Sequence, residues 1–161
     1  MTFLSSIYKN TNVKVTTHSS AQTLSSTANT FLTISGSEIT YVPDLTSSKV
    51  IYEISFYAEA VNIEAFANFY LERYDDSSSS WVEINERFRK NVGYYGSGQT
   101  LRSLLSYRYV LPTWTGPRQI RLRCAPHRTN NPMTFHQMTY WDGSSSITDK
   151  FCNTTLVVYS D

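Results

Sequence analysis

The sequence predicts an all-β domain, a sandwich or jelly roll of about eight to ten short antiparallel strands. Three observations predict it. Val50, Tyr52, Ile54, Phe56 and Ala58 alternate with Lys49, Ile51, Glu53, Ser55 and Tyr57, the period of a half-buried strand. Similar short segments recur between clusters of Gly, Pro, Asp, Asn and Ser, which are turn residues. The chain has 12 Tyr and 8 Phe, about a quarter of it is Ser or Thr, and only 17% is charged, a mixture that suits strands and loops better than helices.

Taken in order, residues 1–30 carry Lys9 and Lys14 as their only full charges, and several Ser and Thr. Val13 to Thr17 reads as a short strand. The rest of this stretch lacks the apolar residues needed to offset ordering entropy and is expected to be an extended arm, either a disordered tail or a segment that orders against a neighbour. Residues 31–161 form the predicted sandwich. Phe31 to Ile34 and Ile39 to Val42 are strands separated by Gly36-Ser37, with a stop at Pro43. Lys49 to Ala58 is the clearest strand. Ala65 to Tyr74 reads as another, with helix as the alternative over Val61 to Phe69. It runs into the turn Asp75-Asp76-Ser77-Ser78-Ser79-Ser80, and Trp81 to Phe88 follows as the return strand of a hairpin. Asn91 to Thr100, with Gly93, Gly96 and Gly98, is a loop. Leu101 to Leu111 alternates again, with Leu105, Tyr107 and Tyr109 opposing Arg102, Ser106 and Arg108. Gln119 to Cys124 sets Ile120, Leu122 and Cys124 against Arg121 and Arg123. Phe135 to Trp141 and Cys152 to Tyr159 are the last strands, with a loop at Asp142 to Ser146.

A chain of 161 residues fits one domain with a sizeable core. A formal net charge of +1 is unlike the basic excess of a dedicated nucleic-acid binder, so no direct nucleic-acid contact is expected. No apolar run reaches the length of a membrane span, and Met1 to Ile7 has no basic start, so neither a membrane partner nor a signal peptide is expected. Cys124 and Cys152 have no metal-type spacing; they read as two thiols in apolar surroundings, with a disulfide as the alternative.

No catalytic constellation stands out, and the chain is not expected to be an enzyme. His18, His127 and His136 are the only histidines, and no GxSxG elbow or HExxH pair is present. Glu83 and Glu86 fall on opposite sides of their strand, which does not suit a glycosidase pair. Asp75-Asp76 lacks the spaced oxygen donors of a calcium loop and reads as a solvated turn. Gly96-Ser97-Gly98 reads as a chain reversal. No cofactor and no metal are expected.

Two features point to binding. Arg118, Arg121, Arg123 and Arg128 surround one strand, and Arg87, Arg89 and Lys90 lie on another. Arginine pairs bidentately with carboxylates and stacks on aromatic rings, so Arg87, Arg89, Arg121 and Arg123 are candidate subunit or shell contacts; an ordinary polar strand face and a nucleic-acid contact are the alternatives. Tyrosine combines apolar area with a polar tip, which makes Tyr57, on the outward side of its strand, a candidate for packing between subunits. Tyr94, Tyr95, Trp114 and Trp141, read as exposed aromatics in loops, are candidates for stacking on sugar rings.

The stretches Gly36 to Pro43, Lys49 to Phe56 and Asn153 to Tyr159 resemble small virion proteins of tailed bacteriophages, notably those infecting marine cyanobacteria. The resemblance covers roughly residues 31–161, and such proteins resemble the trimeric jelly-roll heads of the tumour-necrosis-factor and complement-subunit type. It implies a homotrimer around a threefold axis and a place on the outer surface of a virion. It brings no catalytic residues. The chain has no heptad run and no Gly-X-Y shaft, which favours a small subunit docked on a shell over a fibre tip.

The expected function is therefore a capsid decoration or cement subunit that binds other virion proteins such as the major capsid protein and stabilises the shell. The alternative is a receptor- or glycan-binding head on a tail or fibre. A hydrolase of surface polysaccharide is the third reading, and no convincing acid/base pair supports it.

Overall fold

The computed structural model describes residues 9–24, 31–61, 65–84, 88–93, 100–126, 133–141, 143–144 and 147–161. These residues form strands β1 (Lys9–Thr16), β2 (Gln22–Leu24), β3 (Leu32–Thr33), β4 (Ile39–Tyr41), β5 (Lys49–Val61), β6 (Ala65–Asp75) and β7 (Ser80–Glu83). They continue with β8 (Phe88–Gly93), β9 (Thr100–Pro112), β10 (Arg118–Pro126), β11 (Met133–Phe135), β12 (Gln137–Trp141), β13 (Ile147–Phe151) and β14 (Thr154–Ser160).

Every pairing is antiparallel. In the first sheet β9 covers one edge of β5 from Lys49 to Val61, so the other edge is shared: β14 takes Val50 to Ser55 and β11 takes Ala58 to Ala60. β1 lies outside β14, and β2 outside β11. In the second sheet β6 runs along β10, β4 and β3 share the far edge of β10, and β7 and β8 share the far edge of β6. Several short strands therefore act as halves of one longer strand, and each sheet is four strands wide. The order β1-β14-β5-β9 against β4-β10-β6-β7 is a jelly roll, two four-stranded sheets wound from one folded-over ribbon. The expected sandwich is thus the observed one.

The alternation of β5 explains the core. Val50, Tyr52, Ile54, Phe56, Ala58 and Ala60 point inward and are almost fully buried, against Phe69 and Leu71 of β6 and Ile120, Leu122 and Cys124 of β10. Phe56 is the hub, with ring centres 5.7 Å from Phe135 and 6.0 Å from both Phe69 and Tyr107. Removing such a ring costs about 3–5 kcal/mol. Tyr52 is buried in the same layer, where its hydroxyl donates to the Ser37 carbonyl at 2.6 Å.

Three boundaries differ from the sequence reading. Trp81 to Phe88 is not one return strand and Asn91 to Gly93 are not loop: β7 ends at Glu83, and β8 runs from Phe88 to Gly93, both pairing with β6. The opening stretch, expected as an extended arm, is carried on the sandwich over Lys9 to Leu24: β1 pairs with β14 through six residue partners, and β2 pairs with β11. The gain comes from backbone hydrogen bonds along an otherwise open edge, which hydropathy does not register. The stretch Phe135 to Trp141 is not one strand. His136, at φ +66°, turns the chain out of the first sheet, so that β12 pairs instead with β13 in a separate two-stranded ribbon.

Candidate functional site

The outer side of the second sheet holds the predicted arginines of β10. Register sets Arg121 opposite Glu72 and Arg123 opposite Tyr70. The Arg121 Nη2 lies 2.7 Å, and its Nε 2.9 Å, from Glu72 Oε2, which the Nη1 of Arg123 reaches at 3.2 Å. The Arg121 guanidinium lies 3.7 Å from the Trp81 ring centre, and that of Arg123 lies 5.8 Å from Phe31. These three charged side chains are only 16%, 17% and 12% exposed. Arg121 and Arg123 are thus held by their own sheet, stacked and ion-paired. Arg89 lies on β8 with its backbone opposite Asn68. Arg87 lies outside the described residues, as do Tyr94 and Tyr95.

The outer side of the first sheet is built differently. Its centre is polar: Arg108 Nε lies 2.8 Å from Glu53 Oε1, the Tyr159 hydroxyl donates to the same oxygen at 3.2 Å, and Ser55 and Ser106 hydroxyls are 2.9 Å apart. Its margins are apolar. On β1, Val13 is 64% exposed and Val15 stands beside it, with Val13 opposite Val157. On β9, Leu104 is 65% exposed, and Val110 is exposed further along. Tyr57 is the direct cross-strand partner of Leu104, and burial raises its phenol pKa. The predicted contact residue therefore sits beside an exposed leucine that the sequence reading passed over. The signal was present: Leu104 interrupts the series Arg102, Ser106, Arg108 on the polar side of its strand.

The two predicted tryptophans have different settings. Trp114 is half-buried against the core; its indole N–H donates to the Tyr41 carbonyl at 3.3 Å, and the Arg118 guanidinium lies 5.1 Å from its ring centre. Trp141 ends β12 and is 72% exposed, with its N–H donating to the Ser144 carbonyl. Tyr140 and Phe151 are also exposed on this ribbon, so it presents three aromatic rings to solvent.

A polar cluster joins the sheet margins. His18 and His136 stack with ring centres 3.8 Å apart, and both contact the Thr154 hydroxyl. Gln22 fixes the proton positions. Its Nε2 donates to the Thr33 carbonyl and its Oε1 accepts from Ser35 N–H, so the His136 Nε2 facing Oε1 at 3.2 Å must donate. Nδ1 of neutral His136 is then bare and accepts from Thr154, whose oxygen accepts from His18 Nε2. Burial and the His18 ring lower the His136 pKa to about 4, in keeping with the neutral form. Among the described residues no group of three His, Cys, Asp or Glu side chains is placed to hold a metal ion.

No protein-family model and no curated protein matches the chain. Three solved structures show the following likeness. The structure of infectious bursal disease virus Gx strain has a TM-score of 0.44 at 12% identity, covering 95% of this chain and 37% of that one. The enzymatically active domain of bacteriophage CBA120 tailspike protein 4 has 0.29 at 9%, covering 89% and 19%. An α-amino acid ester hydrolase has 0.29 at 10%, covering 78% and 24%. The chain thus spans well under half the length of each.

Proposed function

We propose that this chain is a structural subunit of a virus particle, a jelly-roll decoration or cement protein that acts as a homotrimer on the outer surface and binds the major capsid protein. The observation that carries the reading is the outer side of the first sheet, where a polar centre is framed by exposed Val13, Val15, Leu104 and Val110. Scattered single apolar residues are ordinary, but four on two margins of one sheet suit burial against other subunits. A contact made at both margins by neighbouring copies closes into a ring when the rotation is that of a threefold axis. Cementing follows from mass action: a subunit that binds the assembled shell in preference to its parts stabilises the shell. The arginines of β10, engaged with Glu72, shape the second sheet in this scheme and leave the contact to the first.

A second reading has an observation of its own. The β12–β13 ribbon exposes Trp141 at one end, with Tyr140 on the opposite face and Phe151 at the other end, and an exposed indole suits stacking on a sugar ring, which favours a receptor-binding head.

Native mass measurement together with co-sedimentation on particles stripped of this protein tests both. Three copies in solution and saturable shell binding are expected, with Leu104→Glu/Val110→Lys giving monomers and at least about tenfold weaker shell binding. A wild-type monomer that ignores shells overturns the first reading. If that monomer binds host cells and Trp141→Ala abolishes the binding, the second stands in its place.

A further inference from the structure

At one end of the sandwich the sheets part to leave a cleft of about 390 Å³, within the size range of small-molecule sites. Two core rows lead into it. Ala67, Phe69 and Leu71 of β6 face inward, and the next residue in that row is Arg73; Cys124, Leu122 and Ile120 of β10 face inward, and the next is Arg118. Ile120 pairs with Arg73, so Arg118 is the diagonal neighbour of Arg73 on the same face of the sheet, and both line the cleft. Two adjacent strands thus end their apolar rows in a guanidinium at the same place.

Among the described residues neither guanidinium forms an ion pair. The carboxylate of Asp75, at the end of β6, is taken up by the hydroxyls of Ser77 and Ser78. Arg118 is set by its stacking over Trp114, itself pinned to the Tyr41 carbonyl. Burial and the charge of Arg73 lower the pKa of Arg118, and the Asp75 carboxylate, too far for an ion pair, offsets this only in part.

We propose that this cleft binds a carboxylate carried on an apolar body, with the carboxylate between Arg73 and Arg118 and the body against Ile84, Leu111 and Ile120. The lining decides the class. Apart from the indole N–H already engaged by Tyr41, its side chains offer guanidinium donors and no hydroxyl, and Glu83 is among them, which disfavours a multiply charged phosphate. A sugar acid would press several hydroxyls against walls that cannot hydrogen-bond them. A monoanion with two coplanar oxygens and an aliphatic or aromatic remainder meets the two guanidiniums and the apolar walls, and is repelled by Glu83 less than a multiply charged anion. Such a group occurs in a free organic acid and at the C-terminal residue of a polypeptide. This inference is independent of the trimeric, shell-binding reading, because the cleft lies between the sheets and not on the outer side of the first.

The test titrates hexanoate, hexanamide, and an acetylated tripeptide ending in leucine as free acid or amide, following the indole N–H signal of Trp114, assigned with Trp114→Phe, and the melting temperature. The acids are expected to shift the signal and raise the melting temperature while the amides do neither. Arg73→Gln and Arg118→Gln are each expected to weaken the acid by about tenfold or more, the loss of one charge-assisted contact, while Arg121→Gln leaves it unchanged. Tighter binding of the peptide acid than of hexanoate identifies a polypeptide terminus; the reverse identifies a free acid. Equal response to hexanamide, no response to any acid, or binding that survives both arginine changes overturns the proposal. The acid–amide comparison on the unaltered chain remains decisive if a variant fails to fold.

Discussion

The Thr154 hydroxyl oxygen lies 3.1 Å from Nδ1 of the fully buried His136 and donates to it. Gln22 fixes the other ring nitrogen as a donor, and burial together with the neighbouring His18 ring keeps the imidazole neutral, which leaves Nδ1 to accept. Protonation would put a proton on Nδ1, force the Thr154 hydrogen toward the Ser35 carbonyl 3.2 Å away, and place a cation beside the His18 ring.

Stability is therefore expected to fall as pH is lowered from about 6.5 to about 4. The unfolded chain takes up a proton at His136 near the ordinary value, whereas the folded chain holds it off until about 4. The neutral-histidine contribution is complete above the upper limit and lost by the lower one, worth about 2 kcal/mol after allowance for screening. His18, also lowered by burial, acts in the same sense. Urea midpoints from pH 4 to 8 check this, with His136→Asn as comparison: asparagine tolerates the positive φ but does not titrate. An unchanged slope in that variant would remove His136 from the account.

Glu72→Gln is expected to destabilise the fold by about 2 kcal/mol, since it leaves two largely buried guanidiniums sharing a neutral amide. Glu53→Gln, on the exposed pair with Arg108, is expected to cost under about 0.5 kcal/mol. Equal losses in denaturant unfolding would mean that burial does not separate the two pairs.

Two tyrosine hydroxyls should behave oppositely. Tyr52→Phe abandons the Ser37 carbonyl and is expected to cost about 1–2 kcal/mol. The Tyr107 hydroxyl is buried with no hydrogen-bond partner among the described residues, so Tyr107→Phe is expected to be neutral or to stabilise by up to about 1 kcal/mol. Thermal melts of the pair read the difference directly.

Gly36→Ala is expected to cost about 2 kcal/mol or more, by strain and by contact. Gly36 has φ +83°, and an added Cβ would lie 2.9 Å from the Thr16 Cβ and 3.0 Å from that of Thr154. Gly143→Ala, also at positive φ, meets no neighbour within 4 Å among the described residues and isolates the backbone part of the penalty. If the two lose the same stability, close packing at Gly36 does not matter.

Cys124 is buried, and burial raises its thiol pKa; Cys152 is half-buried, and both are free. A thiol reagent at pH 8 is expected to modify Cys152 in the native protein, and Cys124 only on unfolding. Two thiols reacting at one rate would contradict this.

The strands that could be read from the sequence are those whose burial is one-sided and uninterrupted. β5, β9 and β10 alternate because each has one face on the core. β2 and β13 escaped notice because β2 has three residues and β13 belongs to a ribbon outside the two main sheets. The break at His136 was hidden because a histidine at positive φ leaves no pattern. For the surfaces, residue type alone marked Arg121 and Arg123 as available, whereas register gave them Glu72. Tyr57 was placed correctly on the outward side, but its pairing with Leu104 needed the β5–β9 alignment.

The pairing of β1 with β14 sets the order in which the molecule can be completed. Val15 waits for Thr155, a partner made roughly 140 residues later, and contacts so distant in sequence slow folding because their loop entropy is lost first. During synthesis β14 must find the flank of β5 before β1 has a neighbour, and until then the valines of β1 lie on a bare strand that another nascent copy could capture. The same edge that completes the sandwich last is thus the one at which crowding of unfinished chains would be felt first.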